Sequence, residues 1–138
     1  MWGGLARARF APIFKKYCLI RGDYAIIFIM VKHVDVLGTK YDIYFLPESE
    51  LQYKDTNGYC ERWSKEIFIN EDAFNPNQPD IAKNFHLAKN KVIRHELIHA
   101  VLHESGLERY CEDEILVDAL ATLFPKMYQI FKHMEIEE

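Results

Sequence analysis

Five residues, His95-Glu96-Leu97-Ile98-His99, restrict this chain more than any other stretch. On a helix the two histidines stand one turn apart on the same face, so both imidazoles can reach one metal ion. Glu96 is turned about 100° from His95, near enough to touch a water on that ion without being a ligand. This layout suits zinc hydrolysis. Neutral imidazoles hold Zn²⁺, the ion lowers the pKa of its water, and a carboxylate takes the proton. A surface helix with two chance histidines would carry the same letters. Here, though, Val92, Ile93, Leu97, Ile98, Ala100, Val101 and Leu102 leave the helix little polar surface. Two histidines and a glutamate on a buried helix are costly unless they are paired or bound to metal.

A chain of 138 residues, 49% of them hydrophobic, suits one folded domain with a real core rather than a disordered segment. With a net charge of −4, nothing in the overall balance points to nucleic acid, and no such partner is expected. Cys18, Cys60 and Cys111 are odd in number and form no C-x-x-C pair. That argues against a disulfide framework or a four-cysteine zinc site and suits a reducing cytoplasm. Arg7, Arg9, Lys15, Lys16 and Arg21 precede the apolar run Ala25–Val31. The run falls short of the roughly 20 residues that span a bilayer, and it has no small-residue cleavage site. A first strand is expected there, and no membrane partner. Since every motif lies downstream, Met30 offers a second starting point, with residues 1–29 as an extension and 30–138 as the functional domain.

Alternating apolar residues either side of Leu37-Gly38-Thr39-Lys40 predict a β-hairpin over Val34–Phe45. Pro47–Leu51 can open a short helix with Leu51 inward. Asn57-Gly58 reads as a tight turn before an extended stretch, Tyr59 to Trp63, that returns through Ser64-Lys65-Glu66 into Ile67–Ile69. Asn75–Asp80 reads as a loop. The motif helix is expected to start between Asp80 and Leu87, reach about Glu104 and stop at Gly106. A second helix follows, with Ile115, Leu116, Ala119, Leu120 and Leu123 as its apolar side. Pro125 should break or kink it before Met127, Ile130, Phe131 and Met134 resume the pattern. Strands first and helices last predict an α+β fold.

A catalytic zinc takes three protein ligands. The long metzincin motif is excluded, because Leu102 and Ser105 stand where it needs glycine and histidine. His103 is too far along the axis from His95 to share its ion. Glu114-Ile115-Leu116-Val117-Asp118 is the better source. Here the chain resembles the gluzincin metallopeptidases, in which H-E-x-x-H is followed on the next helix by E-x-x-x-D. It looks particularly like the small ImmA/IrrE-like and phage or prophage zinc peptidases. Arg94–Leu107 and Glu114–Ala121 carry the resemblance, with weak support from Gly58-Tyr59-Cys60 and Ile67–Ile69.

The resemblance implies a zincin-like domain over 30–138, in which a small mixed sheet packs on the active-site helix and a ligand-bearing helix follows. It makes His95, His99 and Glu114 the zinc ligands and Glu96 the catalytic base. Asp118 would orient a ligand histidine through its other ring nitrogen. The spacing from His99 to Glu114 is short for the family, so Glu112 and Asp113 stay open as third ligands. Tyr59, Tyr128 and His133 are candidates for stabilising an oxyanion, and Cys60 reads as a buried small hydrophobe. The expected activity is hydrolysis of peptide bonds in a protein or peptide substrate, with a regulator as one such target. The rival expectation is a non-catalytic zinc-containing protein of a phage or mobile element that binds a partner.

Overall fold

The computed structural model describes residues 30–74 and 84–138. The expectations for residues 1–29 and for the loop Asn75–Asp80 lie outside the described residues. Within them the chain is mixed α+β, with one four-stranded sheet and two long helices. Strand β1 (Met30–Val36) and β2 (Thr39–Leu46) form an antiparallel hairpin. Leu37 (φ 54°) and Gly38 (φ 90°) both take the positive φ that a two-residue hairpin turn demands. β3 (Gly58–Glu61) pairs antiparallel with β4 (Glu66–Asn70), and β4 lies parallel to β2. Among the described residues the order β1-β2-β4-β3 leaves β3 at one edge. Between β2 and β3, a short 3₁₀ turn at Glu48–Glu50 tucks Leu51 into the interior.

The two faces of the sheet divide by the period of two. Tyr41, Ile43, Phe45, Ile67 and Ile69 point to the core, where they meet Ala100, Val92 and Leu97 of helix α1 (Phe85–Glu104). On the opposite face Tyr44, Phe68 and Tyr59 stack in a row across β2, β4 and β3, with neighbouring ring centroids 5.2 and 4.8 Å apart.

Helix α1 ends as its sequence predicts. Gly106 takes φ 73°, its N–H donates to the His103 carbonyl, and the Leu107 N–H donates to that of Leu102. The same end is tied to the sheet through Glu104, which accepts from Thr39 Oγ1 (2.8 Å), Tyr41 OH (2.8 Å) and Lys65 Nζ (2.5 Å). The chain reverses through residues 107–113. Asp113 caps helix α2 (Glu114–His133) by accepting from the Leu116 N–H at 3.0 Å.

Two expectations for α2 need correcting. Its inward side is Val117 and Ala121, both fully buried, with Leu120 partly covered, while Ile115 is 85% exposed and Ala119 and Leu123 also face solvent. The helix is rotated so that the stripe shared by Glu114, Val117, Asp118 and Ala121 faces α1. Nor does Pro125 interrupt it, since α2 runs unbroken from Glu114 to His133. Proline has no N–H to offer the carbonyl of Ala121, four residues earlier. Arg94 of α1 supplies the missing donor, its Nε lying 2.7 Å from that oxygen. Among the described residues, no helix is long and apolar enough to cross a membrane.

Candidate metal centre

α1 and α2 run antiparallel, so the first turns of α2 lie over the second half of α1. Contacts step from His99 with Glu114, through His95 with Asp118, to Arg94 with Ala121. His95 Nε2 and His99 Nε2 are 3.2 Å apart, and Glu114 reaches both, at 2.9 Å from His95 and 3.5 Å from His99. One ligand atom from each of the three residues lies within 4.8 Å of the others, a spacing that one metal ion can bridge. Of the alternatives, Asp113 is spent as the cap of α2, and Glu112 turns toward a neighbouring hollow beside Arg62, Trp63 and Cys111.

Asp118 sits one turn beyond Glu114. Its Oδ1 lies 3.7 Å from Nδ1 of His95, the nitrogen that faces away from Glu114, and its Oδ2 accepts from Lys91 Nζ at 2.9 Å. The Lys91 bond holds the Asp118 carboxyl below its usual range. The sequence signal for Lys91 is weak: its position four residues before His95 puts it on the same face of α1, but no motif marks it.

Glu96 is 6% exposed, and burial, followed by the charge of Glu114, pushes its carboxyl up to about 8. It lies against β3 at a place where only glycine fits. A Cβ on Gly58 would come within 3.3 Å of Glu96 Cγ, 3.2 Å of Val92 Cγ1 and 2.9 Å of the Phe68 carbonyl. Gly58 therefore serves close approach between strand and helix, where its sequence had suggested a turn. Burial drives His99 toward its neutral form, against the pull of Glu114, and neutral imidazole is the state that binds metal.

These groups line a cleft of about 860 Å³ between α1, β3 and the start of α2. Behind its rim lies Asn70, a buried polar residue that is 4% exposed. Asn70 donates to the Thr56 carbonyl at 2.9 Å and accepts from the N–H groups of Asp72 and Ala73, holding Thr56, Ala73 and Phe74 at the rim.

The candidate oxyanion donors do not converge on the centre. The Tyr59 ring lies on the far face of the sheet, stacked on Phe68, and its hydroxyl accepts from the Gln52 N–H at 3.3 Å. Tyr128 and His133 sit about 21 and 28 Å farther along α2 than Glu114. His103 falls outside the three-atom group and contacts Cys111 Sγ at 3.7 Å. Cys60 packs against the core, and burial raises its thiol to about 12, the behaviour of a small buried hydrophobe.

Comparison with known proteins returns no matching family model, no matching curated protein and no matching solved structure.

Proposed function

We propose that the chain is a zinc-dependent peptidase with a zincin-like fold, akin to the gluzincins and to the small ImmA/IrrE-like and phage zinc peptidases. One observation carries the reading: His95, His99 and Glu114 converge on a single point, with Glu96 buried beside them in the wall of an open cleft. The donor set fits the ion. Two imidazoles and one carboxylate leave zinc a fourth position for water, as in catalytic sites. When bound, zinc would supply a water of lowered pKa and polarise a substrate carbonyl.

The chain's own groups account for the other steps. Glu96 accepts the proton of the attacking water and returns it to the leaving amine, a role supported by its place in the cleft wall beside the two histidines. Asp118, fixed by Lys91, orients His95 from behind. A peptide lies extended along the open edge of β3, its main chain pairing with Gly58–Glu61. The substrate is a protein or peptide met in a reducing cytoplasm.

Metal analysis tests this directly. The purified chain should hold about one zinc per molecule, and His95→Ala and His99→Ala should lose it. A chain that stays zinc-free after refolding with the metal would end the reading.

A further inference from the structure

The cleft does not end at the metal centre. β3 and α1 run side by side in the same direction. Gly58 lies against Val92 and Glu96, Cys60 shares a wall with His99 and His103, and Arg62 pairs with Glu108 just beyond the end of α1. Past His99 there is a second hollow, of about 370 Å³. Cys60, His99 and His103 line both spaces, so the two adjoin. His103 stands one turn, about 6 Å, beyond His99 along α1. A strand advances ~3.3 Å per residue, so a peptide laid along β3 with its scissile bond at the metal brings its second residue from that bond to the hollow.

Charge in the hollow is unbalanced. Glu61, Glu108 and Glu112 line it, and Arg62 is their one cationic neighbour in the lining. Arg62 is taken up by Glu108, and Lys65 nearby by Glu104. Burial pushes the His103 imidazole toward its neutral form. Among the described residues this leaves Glu61 and Glu112 with no ion-pair partner. Trp63 stands in the same lining, 82% exposed, with the Arg62 guanidinium 4.7 Å from its ring centre. A ring so exposed can take a second cation on its open face.

We infer that this hollow is a substrate subsite for a basic side chain, arginine or lysine, two residues from the scissile bond. Continuity with the metal centre along the line of β3 makes it a space that bound substrate reaches, and the lining chooses the occupant. An acidic side chain would meet two carboxylates with no cation to spare. An apolar one would take water from those carboxylates and give no hydrogen bond in return. A guanidinium or ammonium answers both carboxylates and the indole face. The subsite rests on the peptidase reading of the adjoining cleft.

Two measurements test it. Mass spectrometry of a randomised decapeptide pool treated with the zinc-loaded chain should show Arg and Lys enriched about tenfold at the second residue on one side of the cut. Glu61→Gln combined with Glu112→Gln should bring that enrichment close to parity, and Glu112→Lys should turn it toward Asp and Glu. Binding is read separately on the Glu96→Gln chain, which should leave peptides intact. Labelled alanine-serine decapeptides with a central Arg, Leu or Glu are the probes, and the Arg peptide should bind about tenfold more tightly than the others. Cutting with no basic enrichment at that position, or enrichment that survives the paired glutamine changes, would overturn the subsite and leave the peptidase reading standing. Preferential binding of the Arg peptide with no cutting by the wild type would end the peptidase reading and keep the hollow as a site for basic side chains. Neither cutting nor preferential binding would overturn both.

Discussion

Glu114 and Asp118 stand one turn apart on α2, and each is assigned a different task. Glu114 reaches the same ring nitrogens that would bind the metal, whereas Asp118 reaches the far nitrogen of His95 and is held there by Lys91. In a side-by-side zinc titration, Glu114→Ala should lose most affinity. Asp118→Asn should lose about 10–100-fold, as expected when the support behind a ligand is removed. Glu112→Ala should change little, because that side chain points into the neighbouring hollow. A large loss in Glu112→Ala with Glu114→Ala unaffected would reverse the assignment. The histidine pair and its glutamate are readable in sequence because i, i+4 spacing is local. The close approach of Gly58 to Glu96 is not, since 38 positions separate them and only the folded sheet brings them together.

Helix α2 shows why an element's existence is easier to read than its rotation. Ile115, Ala119 and Leu123 form as good an apolar stripe as Val117 and Ala121, and pattern alone cannot choose between them. The choice is made by docking on α1, which Arg94 and the Ala121 carbonyl help to fix. That bond also offsets the donor missing at Pro125. Arg94→Ala should therefore destabilise the fold by about 1–3 kcal/mol, the usual cost of leaving a buried acceptor unpaired. In a Pro125→Ala background, where a helical N–H is available, the same change should cost less. A double-mutant cycle by urea denaturation measures the difference, and equal costs in both backgrounds would contradict this account. The other end of α1 makes a pH-dependent contact. Its bond to Lys65, followed by those to Tyr41 and Thr39, holds the Glu104 carboxyl near 2, below its ordinary 4.5. A depressed carboxyl contributes its stability in full above the unfolded value and loses it as pH falls toward the folded one. Between pH 4.5 and about 2 the melting temperature of the wild-type chain should therefore fall more steeply than that of Glu104→Gln. Parallel curves would show that Glu104 makes no such contribution.

Across the whole molecule, what could be read in sequence were the pieces closed by short-range rules: the β1–β2 hairpin, the β3–β4 return, the stop at Gly106 and the α+β order. The parallel pairing of β2 with β4 carries no local signal, because some twenty residues of loop and edge strand lie between them. Yet that pairing places β3 at the sheet edge beside α1, and so gives the cleft its open side. The proposed reading makes this cleft a site of hydrolysis and not merely a place where zinc is held. One comparison bears on it most directly: a proteome-wide search for newly formed N termini with the wild-type chain and with Glu96→Gln, zinc content being measured in both. Zinc content should be equal, and the cleavages made by the wild type should fall by about 10²–10⁴-fold in the variant. Equal cleavage by the two proteins, or none by either at full zinc loading, would contradict it.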